Sequence, residues 1–186
     1  MIDPLLTYLQ NSSTITWIVL VWLSVYFVMS FTILLSRYIG LSSWRKKEQA
    51  SLEGILIGGK IENTASVLKK CSGNINKEKL DVYIGLAESR ATSGLTPLAI
   101  VASTSPFIGL FGTVISILET FSKLGDGGGG INAIASSISE ALVATGCGIF
   151  VAIPAYSFNL MIKRKAYEII SLIKREASVL LSSNQS

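Results

Sequence analysis

The chain has 186 residues, of which 49% are hydrophobic and only 15% are charged. Because a soluble domain carries about 25% charged residues, this composition argues against a soluble protein and predicts an integral membrane protein in contact with the lipid bilayer. The formal net charge of +4 requires no nucleic-acid partner, because lysine and arginine are enriched in the cytoplasmic segments of membrane proteins.

The first predicted span covers residues 15–39 and follows a short outer segment at 1–14. Its apolar part, Ile15–Ser36, contains no charge and would be about 33 Å long as a helix, which is enough to cross a bilayer. The N-terminal segment has neither a basic region nor a small-residue cleavage site. We therefore interpret the span as an uncleaved anchor and not as a signal peptide.

Residues 40–95 are polar and are predicted to form two or three amphipathic helices on the cytoplasmic side. Two groups have helical spacing: Leu52, Ile55, Leu56 and Gly59, and then Leu80, Tyr83, Ile84 and Ala87. Breaks are expected near Gly58-Gly59 and near Ser72-Gly73-Asn74. The stretch Gly54–Lys60 resembles part of a phosphate-binding loop, but Ile61 replaces the serine or threonine that would bind magnesium. No nucleotide or other cofactor is therefore expected.

Two further spans are predicted at residues 96–124 and 131–162, joined by a Gly-rich outer turn at 125–130. Thr96 is placed to cap the second span, and Pro97 is placed in its first turn. The tail at 163–186 is predicted to be helical, with a seam of apolar residues at coiled-coil spacing. The seam consists of Ala166, Ile170, Ile173, Ala177 and Leu180. It favours contact between neighbouring copies below the membrane, and the alternative is an amphipathic helix on the lipid surface.

The distribution of lysine and arginine predicts the orientation of the spans. Most of these residues lie in 37–94 or after Ile162, and residues 1–14 contain none. By the positive-inside rule, the N-terminus is predicted to be outside, and residues 40–95 and the C-terminal tail are predicted to be cytoplasmic.

The second span carries a stripe of small and polar residues. They recur at spacings of three and four: Ser105, Gly109, Gly112, Thr113, Ser116 and Thr120. Bulky residues cover much of the rest: Phe107, Leu110, Phe111, Val114, Leu118 and Phe121. Such a stripe either lines a wet lumen or lets helices pack closely, with its hydroxyls bonded back to the backbone. We favour the second interpretation for Ser105, Ser116 and Thr120, keeping the two serines as secondary candidates for the lining, and we favour the lumen for Thr113.

Glu140 is the only charged residue between Ile131 and Ile162. A carboxylate in hydrocarbon costs about 2.5 kcal/mol or more, so Glu140 is predicted to face a partner or a water-filled path and to act on an ion. Four small residues share its helix face: Ser136, Ala144, Gly148 and Ala152. Their groove is expected to admit a partner helix or water, and close helix packing is the alternative. Thr145 lies about 140° around the helix from Glu140, so spacing alone does not place both in one lumen.

Glu119 is interpreted as half of an ordinary i,i+4 pair with Lys123, and the alternative is that it joins Ser136 in a secondary polar lining. Histidine is absent, and Cys71 and Cys147 are assigned to the cytoplasm and the membrane interior, where they cannot pair. No metal-ligand spacing and no nucleophile–base pair is present. We therefore expect no metal, no catalytic residue and no enzymatic activity.

Two long stretches resemble signatures of the ExbB/TolQ/MotA proton-channel family, in the expected order and spacing. Ala102–Val114 (ASTSPFIGLFGTV) resembles the second-span signature. Ile138–Ala155 (ISEALVATGCGIFVAIPA) resembles the third-span signature. The resemblance is close over about residues 95–162 and extends to the remainder by topology only.

The resemblance implies an all-α protein of the bacterial inner membrane, with a pentameric ring of copies around a dimer of a single-span ExbD/TolR-type partner. The proton-motive force would then drive motion that a TonB- or TolA-type periplasmic arm delivers to the outer membrane. By position, the family's lumen-facing glutamate matches Glu140, and its two threonines match Thr113 and Thr145. Three spans and a short cytoplasmic segment argue against a four-span flagellar stator, and Glu119 occupies a position that is usually uncharged in such proteins.

Several alternatives stay open at this point. Glu140 is expected either to exchange protons or to remain ionised and steer the charges of the partner, and the resemblance favours protons over sodium. The TonB-energising branch and the Tol envelope-maintenance branch are equally compatible with the sequence. The rival hypothesis is a structural scaffold that stabilises a partner without conducting ions, in which Glu140 would form a buried hydrogen bond between helices.

Overall fold

The computed structural model describes residues 14–57, 68, 77–125 and 131–183, and the elements in these ranges are helical. They are α1 (Thr14–Leu56), α2 (Lys77–Thr92), α3 (Leu95–Gly125) and α4 (Ile131–Ser183). Three helical stretches are long and apolar enough to cross a membrane: Thr14–Gly54, Lys77–Ser122 and Ile134–Ser182. The prediction of an all-α membrane protein with three spans is confirmed.

Helices α1 and α4 extend well beyond the predicted spans. α1 has 43 residues and α4 has 53, so the predicted tail at 163–186 continues the third span as one helix as far as Ser183. Residues 163–183 contain neither glycine nor proline, so no residue there interrupts the helix. The breaks predicted near Gly58-Gly59 and near residues 72–74 lie outside the described residues, as does the outer turn at 126–130.

The beginning of α3 differs by one residue from the prediction. α3 begins at Leu95, directly after Gly94, which has a left-handed φ of 85°. The capping role expected for Thr96 is therefore wrong, because Thr96 lies inside the first turn. Pro97 does lie in that first turn, where its missing amide hydrogen removes no helical hydrogen bond.

Residues 14–32 and 97–158 belong to one compact unit. Its core contains small and branched side chains from α1, α3 and α4: Val19, Leu23, Val101, Ala144, Val151 and Ala155. Aromatic rings extend the contact between α1 and α4, since Phe27 stacks on Phe150 with ring centroids 5.8 Å apart. The bulky residues predicted to cover the rest of the second span are exposed in this unit, as Phe107 at 69% illustrates. This surface is available to lipid or to another chain.

Residues 33–57, 68, 77–96 and 159–183 belong to a second compact unit. The predicted seam of the tail lies in its core, with every member at most 8% exposed: Ala166, Ile170, Ile173, Ala177 and Leu180. Leu41, Leu80 and Ala87 of the same unit are also buried. The expectation that copies meet along this seam is therefore wrong, and so is the alternative of a helix on the lipid surface, because the chain itself covers these side chains.

Two side chains of the second unit hold the junction between α2 and α3. Arg37 of α1 donates from Nη2 to the carbonyl oxygen of Arg90 at 2.7 Å, and its side chain fills the space beside Gly94. Asn159 of α4 donates from Nδ2 to the carbonyl oxygen of Leu95 at 2.8 Å. Because the last carbonyls of a helix have no partner within it, Arg37 caps the C-terminus of α2. We call Arg37 and Asn159 the junction clamp.

Candidate functional site

A polar contact lies where α3 and α4 cross, inside the first unit. Thr113 of α3 and Thr145 of α4 face each other, and their hydroxyl groups are hydrogen bonded. The Thr113 hydroxyl lies 2.9 Å from the carbonyl oxygen of Ala141 and donates to it. The carbonyl oxygen of Gly109 lies 3.3 Å from both hydroxyl oxygens. Since each hydroxyl has one proton, the bond to Ala141 leaves Thr145 to donate to Thr113 or to Gly109.

Two glycines allow this close crossing. A β-carbon on Gly109 would lie 2.7 Å from the carbonyl oxygen of Ala144, and one on Gly148 would lie 2.6 Å from that of Ser105. Gly112 is less confined, since its added β-carbon would meet only side-chain atoms, of which the nearest are Val19 Cγ1 at 3.3 Å and Ala144 Cβ at 3.4 Å. Glycine at positions 109 and 148 therefore sets the helix separation at which the two threonine hydroxyls meet.

Glu140 lies on α4 one residue before the backbone carbonyl that this contact uses. It directly precedes Ala141, whose carbonyl accepts the hydrogen bond from Thr113, and its side chain is partly buried. Along the helix axis Glu140 and Thr145 are about 7.5 Å apart. A carboxylate can bind and release a proton, and hydroxyls both donate and accept hydrogen bonds, so these side chains are of the types that can exchange protons without covalent catalysis.

The other polar residues of the predicted stripe make different contacts. Ser105 is 0% exposed and donates to the carbonyl oxygen of Val101 at 2.6 Å. The hydroxyl oxygen of Ser116 lies 3.3 Å from that of Thr16 on α1, which joins two helices inside the unit. Ser136 is exposed on α4. The structure thus brings the hydroxyls of Thr113 and Thr145 together, whereas the hydroxyls of Ser105 and Ser116 have other partners and Ser136 is exposed.

The remaining candidates, Glu119, Thr120 and Ala152, lie about two helical turns along α3 or α4 from the two threonines. Thr120 donates to the carbonyl oxygen of Ser116 at 2.8 Å, within its own helix. Glu119 is partly buried, and the side chain of Lys123, its expected partner, lies outside the described residues, so this ion pair stays a prediction. Ala152 is 8% exposed and lies one turn after Gly148 on α4.

Sequence reasoning missed three polar residues that join helices. Thr16 had no visible signal, because its partner Ser116 is 100 positions away in sequence. Arg37 stands out in the sequence only as a positive charge after the first span. Asn159 could have been noticed, because an amide inside an apolar run is a signal for a hydrogen bond between helices.

The described residues contain no group of three or more His, Cys, Asp or Glu side chains that could hold a metal ion. Cys147 is a free thiol in this part of the chain, and Cys71 lies outside it. The candidate site therefore consists of a carboxylate, two hydroxyls and backbone carbonyls.

Three apolar helices with a polar crossing between two of them define a multi-pass membrane protein. The chain belongs to the MotA/TolQ/ExbB proton channel family, which matches residues 51–175. That range contains Thr113, Glu140 and Thr145, and it confirms the resemblance seen in the two span signatures. The family is one of channels and transport components and is not a known enzyme class.

Three relatives illustrate how far the similarity extends. The ExbB-like 1 biopolymer transport protein of Helicobacter pylori (strain ATCC 700392 / 26695) is 39% identical over 187 residues, which cover 98% of this chain and 99% of the relative. The biopolymer transport protein ExbB of Neisseria gonorrhoeae is 54% identical over 63 residues, 33% of this chain and 29% of the relative. The ExbB of Xanthomonas campestris pv. campestris (strain B100) is 46% identical over 77 residues, 40% of this chain and 30% of the relative.

Proposed function

We propose that the chain is an energy-transducing subunit of the bacterial inner membrane that works with an ExbD/TolR-type single-span partner. It assembles as a ring of copies, pentameric as in its family, with the N-terminus in the periplasm and the C-terminus in the cytoplasm. The complex uses the proton-motive force to act through a TonB- or TolA-type periplasmic arm on the outer membrane. Its output is the transport of biopolymers, iron complexes or vitamins, or the maintenance of the envelope.

The observation that carries this proposal is the polar crossing of α3 and α4. Close packing alone would require only Gly109 and Gly148, yet the crossing also contains two hydroxyls in hydrogen-bond contact, and Glu140 precedes Ala141, whose carbonyl accepts one of their hydrogen bonds. Because a carboxylate inside a membrane costs about 2.5 kcal/mol or more, its presence in an otherwise uncharged span indicates a role for its charge or its proton. Membership of a proton channel family and relatives named for biopolymer transport support the same function.

In this mechanism Glu140 either binds and releases the transported proton or stays ionised and attracts the charges of the partner. Thr113 and Thr145 supply hydrogen bonds to water or to a partner carboxyl group in the lumen. A membrane potential of 100 mV supplies about 2.3 kcal/mol per charge, which corresponds to a shift of roughly 50-fold in a conformational equilibrium. One proton is thus sufficient for a modest conformational step.

The test is the variant Glu140→Gln, co-expressed with the single-span partner. Glutamine keeps the size and hydrogen-bonding capacity of the side chain and removes its charge and titratable proton. We expect the complex to assemble in a pull-down but to lose function that depends on the proton-motive force. Ser139→Ala is the matched control, since Ser139 is exposed and donates only to the carbonyl oxygen of Ala135 in its own helix.

Assembly with normal energised function in Glu140→Gln would contradict the proposal. The chain would then be a structural scaffold, and the ion chemistry would belong to the partner. Proton flux into vesicles containing the purified complex separates the two roles of Glu140. Glu140→Gln abolishes flux if Glu140 carries the proton, and it changes coupling with flux retained if Glu140 only attracts the partner.

A further inference from the structure

Three helices of the first unit meet around Gly112 of α3. A β-carbon added to Gly112 would lie 3.3 Å from Cγ1 of Val19 on α1 and 3.4 Å from Cβ of Ala144 on α4. Val19 and Ala144 are both buried and belong to the same core cluster. These three residues therefore form one layer of the three-helix interior, which we call the Gly112 layer.

The directions of the helices determine which residues lie in the next layer. α1 and α4 run in the same direction, because Phe27 stacks on Phe150 and, further along both helices, Phe31 contacts Phe158. α3 runs in the opposite direction, because it precedes α4 closely in the chain and meets it again at the threonine contact of the candidate site. One turn towards the start of α1 is thus one turn towards the start of α4 and one turn towards the end of α3.

Three polar residues form this next layer: Thr16, Ser116 and Glu140. Each lies three or four residues from the member of the Gly112 layer on its own helix, so it is on the same helix face and about 4.5–6 Å further along the axis. Two of them are in contact, since the hydroxyl oxygens of Thr16 and Ser116 lie 3.3 Å apart. Both side chains are buried, Thr16 at 1% exposure and Ser116 at 6%. The three-helix interior therefore continues into this polar layer.

The face of α4 that carries Glu140 is the face that contacts α1. Phe158 follows Glu140 by 18 residues, which is about five full turns. The ring of Phe158 meets that of Phe31 on α1, with centroids 5.0 Å apart. Glu140 is also partly buried. Its side chain is thus on the side of α4 from which it can reach the Thr16–Ser116 pair.

The Thr16–Ser116 pair has one proton left to donate. Each hydroxyl carries one proton, and one of the two protons forms the hydrogen bond between the pair. Within the described residues neither hydroxyl makes another hydrogen bond, so the second proton has no acceptor there. Because a buried donor without an acceptor destabilises a fold, we expect this proton to have a further acceptor in the same layer.

We propose that the Thr16–Ser116 pair donates this hydrogen bond to the ionised carboxylate of Glu140. A hydrogen bond to a charged group is stronger than one between neutral groups, so the pair holds the ionised side chain more firmly than the protonated one. Thr16 and Ser116 are then positioning residues, which keep the charged Glu140 in the three-helix interior until it takes up a proton. The inference rests on the proposed function, in which Glu140 acts on the transported proton.

The test is labelling of the full-length chain, co-expressed with its single-span partner in membranes, by a hydrophobic carbodiimide that adds to protonated carboxyl groups. Glu119 lies about one turn beyond Ser116 on α3, and Lys123 about one turn beyond Glu119. Peptide mass spectrometry therefore has to separate the label on Glu140 from any label on Glu119.

Thr16→Val combined with Ser116→Ala removes both hydroxyls of the pair. We expect the labelling rate of Glu140 to rise several-fold, because its ionised form loses a hydrogen-bond donor. Thr16→Ser keeps a hydroxyl and is expected to restore the parent rate, which a purely structural effect of the methyl group would not do. If the double variant does not assemble, Ser116→Ala alone is used with the same expectation.

Thr120→Val is the matched control, since Thr120 lies one turn beyond Ser116 and donates to a backbone carbonyl within α3. Its Glu140 should be labelled at the parent rate. Equal labelling of Glu140 in the double variant and in the parent would overturn the inference. An increase in Thr120→Val as large as that in the double variant would overturn it too, because general loosening of the helices would then explain both.

The labelling rate also separates this inference from the proposed function, because it requires no activity driven by the proton-motive force. Unchanged labelling, together with loss of energised function in Glu140→Gln, overturns the hydrogen bond to the pair alone. Normal energised function in Glu140→Gln overturns the proposed function, whereas labelling that still depends on Thr16 and Ser116 would support the hydrogen bond.

Discussion

Gly109→Ala is expected to force apart the crossing of α3 and α4. The added β-carbon would lie 2.7 Å from the carbonyl oxygen of Ala144, 3.0 Å from the Cα of Thr145 and 3.2 Å from the Cα of Gly148. All three are backbone atoms, so no change of rotamer relieves the contact. Restoring an ordinary contact requires α3 and α4 to separate by about 0.7 Å, which forfeits a quarter to a half of the dispersion energy of the facing atoms.

The same displacement weakens the hydrogen bonds of the candidate site. The bond from Thr113 to the carbonyl of Ala141 measures 2.9 Å, and a separation of this size takes it beyond normal hydrogen-bond length. Overpacking costs about 1–3 kcal/mol, and each hydrogen bond between membrane helices is worth about 0.6 kcal/mol. We therefore expect Gly109→Ala to lower the free energy of unfolding by about 2–4 kcal/mol.

The assay is unfolding of the purified protein in mixed detergent micelles, followed by tryptophan fluorescence. Gly146→Ala is the matched control, because no atom lies within 4 Å of its added β-carbon, and its stability should equal that of the parent or exceed it by up to about 1 kcal/mol, because alanine favours a helix over glycine. Gly112→Ala, with contacts of 3.3–3.4 Å to side chains, should fall between the two. Equal stability of Gly109→Ala and Gly146→Ala would refute the argument that glycine sets the helix separation.

The double variant Thr113→Val and Thr145→Val replaces both hydroxyls by methyl groups. The free energy of unfolding should therefore change by about 1 kcal/mol or less. The complex should still assemble, but its function driven by the proton-motive force should be lost. Thr120→Val is the control, and intact energised function in the double variant would remove both threonines from the lumen. Arg37→Gln should weaken the cap of α2 by about 1–2 kcal/mol and speed amide hydrogen exchange in α2. Arg164→Gln, at a side chain 84% exposed, is the control, and unchanged exchange in Arg37→Gln would argue against the cap.

Local patterns were sufficient to predict the helices and the membrane spans. Long uncharged runs such as Ile15–Ser36 predict spans, because the backbone N–H and C=O groups of a segment in lipid must be hydrogen bonded. A helix lets a single segment satisfy all of these hydrogen bonds by itself. The spacing of Ala166, Ile170 and Ile173 also identified the buried face of the tail. It could not say what covers that face, because periodicity shows which side of a helix is apolar and does not show its neighbour. The prediction therefore named a second copy where the structure has the chain itself.

The candidate site was only partly accessible to such reasoning. Glu140 could be identified as a candidate from the sequence, because placing a carboxylate in an apolar membrane span costs free energy. Thr145 lies about 140° from it around the helix, so the third span alone gave no reason to place the two together. The contact between Thr145 and Thr113 depends on how α3 crosses α4, and that crossing depends on Gly109 and Gly148 meeting in space. In the sequence, only the resemblance to a known family links these residues.

The junction clamp has a consequence for the order in which the protein matures. A chain emerges from the ribosome N-terminus first, so Arg37 is already present when Arg90, 53 positions later, leaves the exit tunnel. Asn159 appears 64 positions after Leu95, the residue it bonds, and thus only when most of the third span has been made. One half of the clamp can form early, whereas the other must wait for α4. A nascent chain stopped before Asn159 would leave the carbonyl of Leu95 without this hydrogen bond. The bond from Asn159 to Leu95 can therefore form only after most of the third span has been synthesised.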